Sequence, residues 1–213
     1  MNITRASIKA ATEKRKVWAL GNEVLYELCR QHPTHTQDDV VIAKVLLIGR
    51  VYAAAIERRR VVENQGDDFY TKTVAPKIRN SPIDTWLSAL PPQLASDETT
   101  TALILETHRN VTNLFSKISG LNKRSLASKY LHFHRPDLFF IYDKRAMSAI
   151  RMATPARGFM GVDGFDAEYA SFFRRCQWLA EYIKNTLSTD LDPRQLDDLL
   201  ISNANQVSSG ASF

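Results

Sequence analysis

Residues 118–146 read ISGLNKRSLASKYLHFHRPDLFFIYDKRA, and the fold turns on how this stretch is read. It begins at the end of one helical pattern, turns at Gly120-Leu121-Asn122, and resumes as a helix with Leu126, Tyr130 and Phe133 on one side. A second turn at Arg135-Pro136-Asp137 leads into the apolar run Phe139-Phe140-Ile141-Tyr142, which an acid, Asp143, closes. Helical spacing on both sides of a tight turn predicts two packed helices and an all-α surrounding.

Working outward, the same signals recur. Upstream, a helix is predicted from about Asp97 to Ile118. Before it, Ser81-Pro82-Ile83-Asp84 offers an N-cap, a proline at the first helical position and a box acid for a helix ended by Pro91-Pro92. A short helix is predicted over 68–78. Thr36 and Asp39 resemble a capping box opening a helix over roughly 37–60, apolar on nearly every side and therefore read as the buried central helix. Residues 5–31 read as a long helix carrying Trp18, Leu20, Val24, Leu25 and Leu28, stopped at His32-Pro33. Downstream, Asp143 and Asp166 are candidate N-caps, and Asp192-Pro193-Arg194-Gln195 caps a last helix burying Leu196, Leu199, Leu200 and Ile201. The sum is an all-α chain of about eight helices around a buried central helix. It forms one domain over 1–207, with the hairpin at about 108–146, a glycine-rich loop at 155–164 and a frayed tail at 208–213.

Composition bounds the class. At 213 residues, 44% hydrophobic and 24% charged, the chain has the makeup of a globular domain and not of a collagen-like, disordered or membrane-embedded one. Cys29 and Cys176 both fall inside apolar helical patterns, which fits a reducing compartment. No apolar run is long enough to span a bilayer, and the opening Met-Asn-Ile-Thr-Arg lacks the apolar core of a signal peptide, so the expectation is a cytoplasmic protein without a membrane. The net charge is only +5, but residues 108–157 hold ten Lys/Arg against two Asp/Glu. Such clustering points to an anionic partner, nucleic acid first, because bound phosphates release counterions. The plainer account is a solvated face.

The hairpin and the segment after it resemble the helix-hairpin-helix motif of the DNA glycosylase superfamily that contains endonuclease III and the 8-oxoguanine glycosylases. In that family a hairpin of the type LPGVG-x-K precedes a helix and an apolar stretch ending in a catalytic aspartate. Ile118-Ser119-Gly120-Leu121-Asn122 lies where the family has its hairpin and Asp143 where it has its aspartate. The resemblance implies a divergent member acting on duplex DNA with an altered base; iron–sulfur cluster cysteines are absent from the sequence, and no metal or cofactor is expected. The base would be flipped into a pocket and its N-glycosidic bond cleaved through Asp143. It also implies that Gly120, Asn122, Lys123, Arg124, Ser125 and Lys129 lie on the nucleic-acid side, where backbone N–H groups at a helix start hold a phosphate. Arg124 occupies the register of the family's lysine and stays protonated, so an amine nucleophile would have to come from Lys123. Without one, the implied enzyme is monofunctional, needing only an acid and a water. The block SLASKYLHFHRPDLFFIYD also resembles one shared by a group of bacterial proteins.

Each candidate has a plainer role as well. Asp143 also suits the N-cap of a helix starting at Lys144. His132 and His134 form an H-x-H pair, but helix neighbours two apart face different ways and no other ligands accompany them, so no metal is expected. Arg50, Tyr52 and Glu57 interrupt an apolar pattern and are candidate cleft residues along with His132 and His134; an internal Glu57-to-Arg ion pair is the alternative. No Ser-His-Asp, Walker or Rossmann signature is present. The competing expectation is a hairpin module without catalysis, binding nucleic acid or a protein in genome maintenance or phage defence.

Overall fold

The computed structural model describes residues 3–14, 16–59, 68–95, 97–159 and 164–210, and among these every regular element is helical. In chain order they are α1 (Arg5–Lys14), α2 (Lys16–Gln31), α3 (Asp38–Val51), α4 (Ala75–Arg79), α5 (Ile83–Ser88), α6 (Glu98–Ser119), α7 (Arg124–His134), α8 (Lys144–Ala153), α9 (Ala167–Leu187) and α10 (Pro193–Gly210). A π-helical turn, Tyr70–Val74, leads into α4. The all-α class is as the sequence predicts, with ten α-helices in place of about eight. The last helix runs through Gly210, so the tail predicted to fray from 208 is helical at its start; residues 211–213 lie outside the described residues, as do 160–163 of the glycine-rich loop.

Local capping chemistry sets the starts of the four helices α6, α8, α9 and α10. Asp97, Asp143 and Asp166 each sit in extended backbone and accept a bond from the N–H three residues on, at 2.8, 2.8 and 3.0 Å. At α10 the box is reciprocal: Asp192 Oδ1 accepts the Gln195 N–H, while Gln195 Oε1 accepts the Asp192 N–H. Two expected caps are absent. α3 starts after Gln37 with no side-chain bond, and Asp39 accepts only the adjacent Val40 N–H. Ser81 donates to the Ile78 carbonyl, and Asp84 turns away from its own helix toward His35.

α3 also ends earlier than its apolar pattern suggests. Ala53 adopts φ 52, the Ala53 N–H bonds the Arg50 carbonyl and the Ala54 N–H bonds the Gly49 carbonyl, which is a Schellman termination. The chain then folds back so closely that a Cβ on Gly49 would lie 3.0 Å from the Ala55 Cα. Only one face of α3 is buried, with Val41, Lys44, Val45 and Ile48 inside and Leu47 and Val51 exposed. Trp18, Leu20 and Val24 of α2 are exposed too, whereas Leu25 and Cys29 are core.

The enclosed helix is α7, in which Leu126 through Phe133 are all buried. α6, α3 and α2 pack around it, and α10 closes the other side of the molecule against α8 and α1. Phe139 to Tyr142 runs through the core without regular structure, so its backbone groups need partners other than a ladder.

Candidate functional site

Those partners come from one stripe of α7. Ser125, Ser128, Lys129 and His132 are spaced i, i+3, i+4, i+7 and face the irregular segment. Ser128 Oγ accepts the Tyr142 N–H at 3.0 Å, and His132 Nδ1–H donates to the Phe139 carbonyl at 2.8 Å. Ser125 Oγ and Lys129 Nζ donate to the Tyr142 carbonyl at 3.1 and 3.4 Å. From α9, the Tyr169 hydroxyl donates to the Phe140 carbonyl. The polar letters of SLASKYLHFH thus hold the FFIYD run against α7, and Asp143 is delivered to a fixed place.

That place is beside Lys129. The ammonium lies 4.0 Å from Asp143 Oδ2 and 2.7 Å from Ser125 Oγ, while Asp143 Oδ1 caps α8. Lys129 is only 2% exposed, so the expectation of a solvated phosphate contact is corrected: its charge faces Asp143. Burial pushes its ammonium below the usual lysine range, and the carboxylates of Asp143 and Asp197 act against that shift. Asp143 keeps about a third of its side chain in solvent.

The turn between α6 and α7 occupies residues 120–123. Gly120 takes the left-handed conformation at φ 73, and Asn122 Oδ1 accepts the Arg124 N–H at 2.9 Å, ordering the first turn of α7. The two cations after it are engaged within the chain. Lys123 Nζ donates to the carbonyls of Ala55 and Arg58, and burial lowers its pKa. Arg124 pairs with Asp166 at 2.6 Å and Glu168 at 2.9 Å, contacts that outweigh its desolvation and raise its pKa. Solvent-facing positive charge lies instead on Lys144, Arg145 and Arg151 of α8, and on Arg157 beyond it. Asp143 caps the N-terminus of α8, so the Lys129–Asp143 pair stands at the head of the helix that carries Lys144, Arg145 and Arg151.

A cleft of about 820 Å³ opens past the other end of α7, between α2, α5, the turn at 134–137 and the start of α10. Of the five residues predicted for a cleft, only His134 lines it. Arg50 and Glu57 form the ion pair given as the alternative, at 3.3 Å, and the Tyr70 hydroxyl donates to the second Glu57 oxygen. Tyr52 donates to Asn22 Oδ1 and accepts from Arg194. His132 stands behind the wall, its Nε2 accepting from the Tyr26 hydroxyl at 2.7 Å.

Sequence reasoning missed what holds the opposite wall. Asp84 accepts the His35 backbone N–H at 3.0 Å and its Nδ1–H at 2.5 Å; His35 Nε2 in turn accepts from the buried Tyr130 hydroxyl at 2.7 Å. Lys44, fully buried, donates to the carbonyls of His32 and Thr34 and pins the same loop. Burial depresses the pKa of His132 to about 3 and that of His134 well below the usual range. His134 Nε2 is buried and has no hydrogen-bond partner. Among the described residues no group of histidines, cysteines and acids is arranged to hold a metal ion, and no helix is long and apolar enough to cross a membrane.

Compared with known proteins, residues 4–138 match a family model, HI_0787_N, described as an N-terminal domain. No curated protein and no solved structure matches the chain.

Proposed function

The chain belongs to the HI_0787_N family, whose domain takes in the turn at Gly120 and Lys129 and ends just short of Asp143, and we propose, from its side-chain geometry, that it is a DNA-binding protein of helix-hairpin-helix glycosylase type. The observation that carries this reading is the Lys129–Asp143 pair at 4.0 Å, held behind the hairpin. A buried amine of lowered pKa beside a carboxylate is the equipment for attack on a sugar carbon, and it supplies the nucleophile that Arg124 cannot be. In this reading the turn at 120–123 and the cations of α8 hold the phosphate backbone without reading sequence. The altered base is flipped out, Asp143 stabilises positive charge developing on the sugar, and the Lys129 amine displaces the base. The bond from sugar to base breaks as the bond from Lys129 nitrogen to the same carbon forms, the departing base taking a proton.

The second reading, a nucleic-acid-binding module without catalysis, draws on the hydrogen bonds of Lys129 to Ser125 and Tyr142, which give that lysine a structural task. One experiment separates them. Purified protein is incubated with a duplex containing an abasic site, and with an intact duplex, at two salt concentrations, with borohydride added to trap a Schiff base. The glycosylase reading expects preference for the abasic duplex, steep salt dependence and a covalent adduct lost in Lys129→Gln. Salt-dependent binding with no preference and no adduct selects the module. Binding indifferent to salt overturns both and leaves a protein partner.

A further inference from the structure

We infer that the cleft at the C-terminal end of α7 binds a small organic cation with a flat apolar body. Its volume, about 820 Å³, suits a small molecule. Tyr26 and Phe133 line it, their ring centroids 4.7 Å apart, and aromatic faces attract cations while burying apolar area.

The charges around it are unequal in availability. The Arg30 guanidinium is paired with Glu27, and Arg194 lies near Asp197 and Asp198 and donates to the Tyr52 hydroxyl. Arg135 donates to the carbonyls of Leu87 and Pro91. The carboxylates are differently placed. Glu23 lines the cleft with no ion-pair partner among the described residues, and Asp137 is offset only by the charge of Arg135, without an ion-pair contact. Asp84 is held by His35 through two N–H donors, its side chain still 41% exposed. Burial keeps His134 neutral, and Lys44, whose charge is felt at His134, is fully buried and committed to carbonyls. On a chain of net charge +5, this cavity sets four carboxylates, Glu23, Asp84, Asp137 and Asp192, against three guanidiniums over an aromatic floor, and two of those guanidiniums have carboxylates of their own outside the lining. An anion entering it would meet an excess of carboxylates; an amine or amidinium on a flat body meets both of its complements.

This inference is independent of the DNA reading, since it uses none of the residues at the other end of α7. The test is calorimetric titration of the intact chain with tryptamine, benzamidine and indole-3-propionate, the last sharing tryptamine's ring but carrying the opposite charge. The expected result is one tryptamine bound per chain, at least about tenfold tighter than indole-3-propionate, with Glu23→Gln and Asp137→Asn each weakening it about three- to tenfold. Both side chains are exposed, so unchanged urea midpoints confirm that the variants fold. Lys129→Gln should leave tryptamine binding as it is. The inference is overturned if the anion binds as tightly as the cation. It is equally overturned if neither cation binds at about 10 mM, or if the doubly substituted chain binds tryptamine unchanged.

Discussion

Acidification from pH 7.5 to 5.5 should destabilise the fold by about 4 kcal/mol through three histidines alone. His108, His132 and His134 all have pKa values depressed by burial, the first two to about 3. Each is fixed as a neutral ring by its surroundings. His132 donates to the Phe139 carbonyl and accepts from Tyr26, His108 stacks on Tyr169 with centroids 3.4 Å apart, and His134 stacks on His35. In the unfolded chain each titrates near pH 6.5, so between pH 7.5 and 5.5 only the unfolded state takes up these protons. Stability is therefore complete above about pH 7 and is lost as the pH falls toward the folded-state values. The loss is a little over 1 kcal/mol per histidine at pH 5.5, on the order of the free energy of one proton taken up near pH 6.5, where most carboxylates are still ionised. His35 acts in the same direction, its desolvation outweighing the pull of Asp84. Urea unfolding at the two pH values measures the sum. With a slope of roughly 2–3 kcal/mol per M for a chain of this size, the midpoint should fall by about 1.3–2 M. His132→Gln should be less stable at pH 7.5 yet lose about 1 kcal/mol less on acidification. A midpoint that moves by less than about 0.3 M would refute the reasoning, because it requires these rings to be protonated or solvated in the folded chain.

Two neighbouring substitutions in the end of α3 should have opposite signs. Gly49→Ala places a methyl 3.0 Å from the Ala55 backbone and should destabilise by about 1–2 kcal/mol in urea unfolding, despite the better helix propensity of alanine. Ala53→Gly relieves a left-handed residue at φ 52 and should stabilise by about 0.5–1 kcal/mol. Arg124→Met removes the cation from Asp166, whose side chain is 8% exposed, and should cost about 2–3 kcal/mol; a loss under about 0.5 kcal/mol would mean that Glu168 and solvent leave that pair without weight.

How much of this was legible beforehand follows from the range of each interaction. Asp143, Asp166 and Asp192 read correctly as caps because a cap bonds an N–H only three residues away, so its partner is present in the local sequence. The stop at His32-Pro33 and the turn at Gly120 are local in the same sense. The central helix was misplaced because apolar content does not say which residues meet which neighbours. The pattern over 37–60 is broken by a Schellman turn whose left-handed residue is an alanine, not the usual glycine. The stripe Ser125-Ser128-Lys129-His132 was visible as spacing, but its purpose was not, because its partners lie on a segment that no ladder would have announced.

By itself, then, the amino-acid sequence determined the all-α class, the hairpin, most helix starts and the placing of Asp143 at the head of a helix, all consequences of bonds spanning a few residues. Only the tertiary structure decided that Lys129 is buried beside Asp143 and that Arg124 is spent on Asp166 and Glu168. It alone made Asp84, through His35, one wall of a cleft. These contacts join residues 14 to 49 positions apart, and such pairings are set by how helices pack in three dimensions, which helical spacing along the chain does not encode.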